Sequence, residues 1–296
     1  MTDIRTARIG TNGISLHVVQ AGRVGDPVLL LLHGFPEYWE TWRGYIATFA
    51  AAGFHVVVPD QRGYNLSDKP SGIEAYDLDR LGADVVGLAD HFGCRRITVV
   101  GHDWGGAVGW WIATFQPERL EGLVVMNAPH PSVWREAMRS NPEQRRRSRY
   151  VTLLRLPWLP ELLLRRNRCA ALVRGLEERA AELTQAELDR YRATWAAPGA
   201  LTAMIHWYRA FMRRDLRLSS GFRIKLPVLL IWGEQDPYGV RELAEDSLRL
   251  CDDGRSIYLP GASHWVHHDE RERCREAVLD FTRRLLASET RRNFEW

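Results

Sequence analysis

The strongest constraint on the fold is a succession of continuous apolar runs separated by helical patterns. PVLLLLHG from Pro27, HVVVPD from His55, RITVVG from Arg96 and LEGLVVMNA from Leu120 stay apolar for most of their length, and ISLHVVQAG from Ile14 precedes them. Strands buried on both faces read this way, whereas one-sided strands alternate. WETWRGYIATFAAAG, AYDLDRLGADVVGLADHFG and WGGAVGWWIATF lie between them and carry helical patterns. Strand and helix in alternation predict a doubly wound α/β sheet.

From about Pro131 the pattern changes. No comparable strand returns until LPVLLIWG at Leu226, and the interval is rich in Arg, Leu and Trp, with Pro142, Pro157, Pro160 and Pro198 as breaks. The alternation then resumes with a helix near RELAEDSLRL, the strand RSIYLPG and a last helix in EAVLDFTRRLLA. The expected organisation is an α/β core in two parts, residues 1–130 and 218–296, interrupted by a helical cap over 131–217. A chain of 296 residues can hold one domain with such an insertion.

Composition narrows the partners. A net charge of +3 implies no polyanion, and the run QRRRSR at residues 144–149 reads as a solvated helix face, not a nucleic-acid patch. The four cysteines lack metal or pairing spacing, which suits a reducing compartment. The start, MTDIRTARIG, has no long apolar core, and no stretch approaches the roughly 20 apolar residues of a membrane span. The expectation is a soluble cytoplasmic protein.

The stretch GHDWGG, residues 101–106, joins a buried strand to a buried helix. Gly101-x-Asp103-x-Gly105 has the shape of the nucleophile elbow G-x-S-x-G, with aspartate in place of serine. Glycines are needed where the turn is tight and strained. The rival reading is that Asp103 caps the helix after it. Three pieces of context favour the elbow. HGFPE at His33–Glu37 follows a strand, where Phe35 can lend one oxyanion-hole N–H while Trp104 lends another. The bond before Pro36 is a candidate for cis geometry. Asp236 follows the strand of IWGEQDPYG, and His264 in PGASHWVHHD lies between the last strand and last helix. Asp103, Asp236 and His264 thus stand in the order nucleophile, acid, histidine, each after a strand. His267 and His268 are expected at the surface or as caps.

A carboxylate suits displacement at a saturated carbon, forming an alkyl ester on Asp103. Water activated by His264, oriented by Asp236, then attacks that ester. The leaving group distinguishes the possible reactions. A halide leaves unprotonated, whereas an epoxide oxygen needs an acid, and a tyrosine with pKa of about 10 can serve. The insertion offers Tyr150, Tyr191 and Tyr208.

The pieces HGFPEYWETWR, DQRGYNLSDKP, GHDWGGAVGW, NAPHP, LPWLPE, HWYR, WGEQD and SHW together resemble the soluble epoxide hydrolase family of α/β-hydrolases, over nearly the whole chain. The resemblance implies a mostly parallel eight-stranded sheet with an inserted helical cap. It also implies conversion of a small apolar epoxide and water to a vicinal diol, without metal or organic cofactor. Two cap tyrosines would grip and protonate the epoxide oxygen. Tyr208 matches the one in the family's N-W-Y-R pattern, here HWYR, and Tyr150, ahead of LPWLPE, matches the other. Tyr191 is expected to pack in the cap or meet solvent. Phe35, Trp104 and Trp207 are expected to line the substrate pocket.

Haloalkane dehalogenases look similar, but they place Asn or Trp where Phe35 stands, as a halide donor. Fluoroacetate dehalogenases carry an arginine soon after the nucleophile, which Trp104, Gly105 and Gly106 do not supply. A haloalkane or haloacid dehalogenase is the alternative reading. A non-catalytic binding protein on the same fold is the remaining one.

Overall fold

The computed structural model describes residues 3–177, 183–214 and 218–294. Eight strands form one sheet: β1 (Arg5–Thr11), β2 (Ile14–Ala21), β3 (Val28–Leu32), β4 (His55–Pro59), β5 (Ile97–His102), β6 (Leu120–Met126), β7 (Val228–Gly233) and β8 (Gly254–Leu259). Their spatial order is β1-β2-β4-β3-β5-β6-β7-β8, with β2 antiparallel to both its neighbours and all later pairs parallel. The apolar runs account for this centre. β3, β4, β5 and β7 are buried at every position, which requires cover on both faces.

That cover is sorted by the two-residue period of a strand. Leu30, Leu32, Val57, Val99 and Val125 face one layer, with α2 (Leu78–His91) and α3 (Trp104–Phe115). Leu29, Leu31, Val56, Val100 and Val124 face the other, with α1 (Arg43–Ala51) and α12 (Arg271–Phe294). Each such side chain, fully buried, stabilises the fold by roughly 1.5–3 kcal/mol.

β1 does not appear among the strands read from the sequence. Its residues alternate between exposed and buried, with only Ile9 and Thr11 buried, so it lacks the signature of its neighbours. It is an edge strand, paired along its whole length with β2.

The interval between β6 and β7 is helical among the described residues. It carries α4 (Pro131–Ser140), α5 (Pro142–Arg147), α6 (Arg149–Leu154), α7 (Leu159–Glu177), α8 (Gln185–Ala196) and α9 (Ala200–Arg213). α7 is broken by left-handed backbone at Asn167, Arg168 and Cys169. The expected cap boundary at 217 lies outside the described residues. The insertion is bonded to the core by tryptophans: Trp195 Nε1 donates to the Pro36 carbonyl at 2.6 Å and Trp207 Nε1 to the Arg62 carbonyl at 3.0 Å. α10 (Glu242–Leu248) and the short α11 (Val266–Asp269) complete the core. No helix among the described residues is long and apolar enough to cross a membrane.

The strand order reverses direction at β3 and β5, which lie side by side while β3 leads to β4 on one flank and β5 to β6 on the other. Chains leaving the carboxyl ends of β3 and β5 therefore diverge and leave a crevice. The elbow at the end of β5 requires glycine. A Cβ on Gly101 would stand 2.4 Å from the backbone C and O of Gly105, and one on Gly105 would stand 2.3 Å from the Leu32 carbonyl O. Gly101→Ala is expected to cost about 3 kcal/mol through forced overpacking. Gly10→Ala, where a Cβ meets nothing within 4 Å, should leave the urea midpoint nearly unchanged.

Candidate active site

Asp103 sits at the tip of the elbow with φ 49° and ψ −118°, a region that costs a non-glycine residue about 1–3 kcal/mol. Its side chain makes no capping bond to α3. Oδ1 accepts instead the Phe35 N–H at 2.9 Å, and Oδ2 lies 3.5 Å from His264 Nε2. The cap reading of this aspartate thereby falls. The Phe35–Pro36 bond is cis. Trp104 opens α3, so its N–H belongs to the helix's first, internally unpaired turn.

His264 follows β8, and its Nδ1 faces Asp236 Oδ2 at 2.8 Å. Asp236 follows β7 and is fully ligated: Oδ2 also accepts Asn127 Nδ2 at 2.8 Å, while Oδ1 accepts the N–H groups of Tyr238 at 2.7 Å and Gly239 at 3.1 Å. Asn127, at φ 45° beyond β6, holds Gly233 as well. It lies in the NAPHP stretch, whose sequence did not reveal this task. Behind the imidazole, His102 Nε2 donates to the His264 carbonyl at 2.9 Å.

The charges are coupled. Burial opposes a charged His264, but the Asp236 carboxylate and then Asp103 overcome it and raise its pKa to about 10. Burial likewise opposes both carboxylates, yet His264 leaves Asp103 and Asp236 below their ordinary value. At neutral pH the unit is an imidazolium between two carboxylates.

One cavity opens beside Asp103. Trp104, Trp134, Tyr150, Val151, Tyr208, Phe211, Tyr238, Leu243 and His264 are among its lining residues. The rings of Tyr150 and Tyr208 stand 6.0 Å apart at 80°. Burial, reinforced by each tyrosine's charged neighbours, pushes both phenols well above 10, so both remain protonated donors at neutral pH.

Three expectations need correction. Trp207 does not line this cavity. It is fully buried, bonded to Arg62 and packed edge-on behind Trp104 with ring centroids 5.7 Å apart, because it faces the core side of α9. Phe35 reaches the site by its N–H, while its ring packs edge-on against Tyr208 at 5.4 Å. His267 and His268 are not at the surface. α11 tucks under the loop after β3, where Thr41 Oγ lies 2.7 Å from His267 Nε2 and 2.9 Å from His268 Nε2. These two histidines and Glu37 stand close enough to ligate a metal. The Thr41 hydroxyl donates to Glu37 Oε1 at 2.7 Å and stands at hydrogen-bond length from all three side chains. Tyr191 packs among Tyr38 and Trp195, as anticipated.

The arginine run divides. Arg145 and Arg146 are exposed, but Arg147 Nη1 donates to the carbonyls of Asp236 at 2.6 Å and Gly239 at 2.8 Å. Buried Gln144 adds bonds to Tyr238 O at 2.8 Å and from Val240 N at 3.0 Å. The insertion thus grips the loop that presents Asp236.

A family model described as the alpha/beta hydrolase fold matches residues 27–271. The chain belongs to the α/β-hydrolase family. This α/β-hydrolase is 41% identical over 283 residues to AB hydrolase superfamily protein YfhM of Bacillus subtilis, covering 95% of this chain and 99% of that one. It is 36% identical over 294 residues to epoxide hydrolase 4 of Mus musculus, covering 97% and 80%. A substituted epoxide hydrolase from Bacillus megaterium superposes with TM-score 0.86 at 30% identity, covering 94% and 100%. Another structure from that organism, complexed with its product (R)-3-(1-naphthyloxy)propane-1,2-diol, has TM-score 0.85 at 29% identity, with the same coverage.

The pKa of His264 supplies a test. A folded-state value of about 10 lies above the ordinary 6.5, so the stability it contributes is complete below about pH 6.5 and lost as pH rises through 10. Asp236→Asn removes the largest upward influence. The His264 midpoint, followed by NMR of its ring protons, should fall below 10, and the alkaline loss of stability, still beginning near pH 6.5, should be smaller and complete at lower pH.

Proposed function

We propose that this chain hydrolyses a small apolar epoxide to a vicinal diol through an ester on Asp103, with the helical insertion as cap. One observation carries the reading: the Asp103 carboxylate lies between the Phe35 N–H and His264, in one cavity with the protonated phenols of Tyr150 and Tyr208. The names of the relatives and the diol held by a structural neighbour support the same substrate class.

The steps follow from the charges. Asp103 Oδ2 attacks a ring carbon, the carbon–oxygen bond breaks, and the ring oxygen takes the proton of Tyr208 or Tyr150. Esterification removes the Asp103 charge, one of the two carboxylates that raise His264. The imidazolium then gives its proton to the tyrosinate, which restores the phenol and leaves His264 neutral. Neutral His264 takes a proton from water as the water attacks the ester carbonyl. The developing oxyanion is the former Oδ1, already at the Phe35 N–H, with the Trp104 N–H as second donor. On collapse the bond between the carbonyl carbon and the ester oxygen breaks, that oxygen takes the remaining proton of the added water to complete the diol, and the carboxylate is regenerated with His264 still charged. The diol keeps the attacking oxygen of Asp103, and the carboxylate keeps the oxygen of water.

His264→Gln should still be alkylated but should release product at least about 100-fold more slowly, as expected for loss of a general base. Mass spectrometry after incubation with an aryl epoxide should find the adduct on the peptide containing Asp103. Absence of the adduct, with the variant folded, rejects the two-step scheme. It would also favour the reading as a binding protein.

Tyr150→Phe with Tyr208→Phe should abolish ring opening while a haloalkane control, if alkylated at all, is unaffected. Epoxide turnover surviving in the double variant rejects the acid assignment, and halide release by the unaltered protein without epoxide turnover favours the dehalogenase.

A further inference from the structure

The exposed apolar side chains of this molecule are unevenly spread. Ten large hydrophobics are exposed among the described residues, and five fall within eleven positions of the insertion: Leu153 at 41%, Leu156 at 44%, Trp158 at 69%, Leu162 at 56% and Leu163 at 37%. Five exposed large hydrophobics gathered in one eleven-residue segment single it out as a candidate interaction surface. Exposed Arg149, Arg155, Arg165 and Arg166 stand among and beside them. The one carboxylate in residues 149–168, Glu161, is turned inward and paired with Arg209 at 2.7 Å.

The loop that bears Trp158 is built to present it. Arg209, almost fully buried, donates Nε to the Leu154 carbonyl at 3.1 Å and Nη2 to the Leu156 carbonyl, while its Nη1 holds Glu161. Pro157 and Pro160 flank the turn, and Trp158 itself adopts φ 50°. The exposed indole thus projects from a loop whose backbone Arg209 holds at two carbonyls and whose far end it ties through the Glu161 carboxylate.

We propose that this face, the end of α6 with the start of α7, docks on a bilayer containing anionic lipid. The chemistry matches an interfacial anchor: leucines for the acyl boundary, a tryptophan for the headgroup level and arginines for lipid phosphates. A second copy of the chain fits worse, because a two-fold interface sets a patch against itself and would face these arginines with one another. The docked face adjoins the cavity, since Tyr150 and Val151 on α6 line it. An apolar epoxide dissolved in the bilayer would then enter from the lipid side. This last consequence rests on the proposed hydrolase reading, whereas docking itself does not.

The test is co-sedimentation of the full chain with vesicles of phosphatidylcholine alone or mixed with phosphatidylglycerol. Binding to the mixed vesicles should exceed binding to the neutral ones by at least about ten-fold at low salt and fall at high salt, as expected of several arginines acting together. Trp158→Ser with Leu162→Ser should lose at least about ten-fold on mixed vesicles, since both apolar anchors are removed. Arg155→Gln with Arg165→Gln should lose a similar factor together with most of the salt dependence. Circular dichroism and turnover of a water-soluble epoxide should match the unaltered protein in both variants, which separates lost docking from lost folding. Failure of the unaltered protein to bind mixed vesicles, or equal binding by the folded variants, overturns the proposal. So does a dimer in light scattering that Trp158→Ser dissolves, since the face would then belong to a second copy. Vesicle binding without epoxide turnover would leave docking supported and overturn only the hydrolase reading.

Discussion

An imidazolium held between two buried carboxylates organises the centre of this molecule. His264 alone would be neutral in so dry a place; Asp236 and Asp103 keep it charged, and it in turn keeps them ionised. Each charge compensates the desolvation of the next, and removing one partner of a buried set leaves another uncompensated. The remaining lone pairs are met by donors from separate strand ends: Phe35 beyond β3, Asn127 beyond β6, and Tyr238 and Gly239 beyond β7. The parallel sheet matters here because it brings these loops to one edge, at the point where its order reverses.

The same unit works as a switch under the proposed chemistry. Alkylation neutralises one carboxylate and so weakens the hold on the proton that the imidazole must shed. No conformational change is required, only the loss of a nearby charge. The insertion does not simply lie over this unit. Arg147 and Gln144 bind the backbone on either side of Tyr238, so the acid loop is held from above by α5 and from below by Asn127.

Much of this was legible in the chain. Continuous apolar runs identified the central strands because burial on both faces leaves no alternation, and glycine spacing identified the elbow because no side chain fits there. The approach of Asp103 to His264 and of His264 to Asp236 was readable from motifs in context, and the meeting of Tyr150 and Tyr208 at one cavity from the family resemblance. What escaped was decided by tertiary placement. β1 hides because an edge strand buries only alternate residues. His267 and His268 look like surface residues until α11 is seen under the Thr41 loop. Trp207 and Tyr208 are neighbours on one helix, and nothing in HWYR says which faces the cavity. In QRRRSR the four arginines are alike in sequence, and only the approach of the Asp236 loop singles out Arg147.

Arg209 follows Tyr208 directly on α9 and holds the carbonyls that close α6, the helix of Tyr150. One guanidinium therefore spans the two elements that carry the phenols. The two rings, 6.0 Å apart at their centroids, are thus joined both by their own contact and by that brace. A redesign that reshapes the chamber from one wall alone will pull against it, and the pair of donors will shift in concert or the brace will give way.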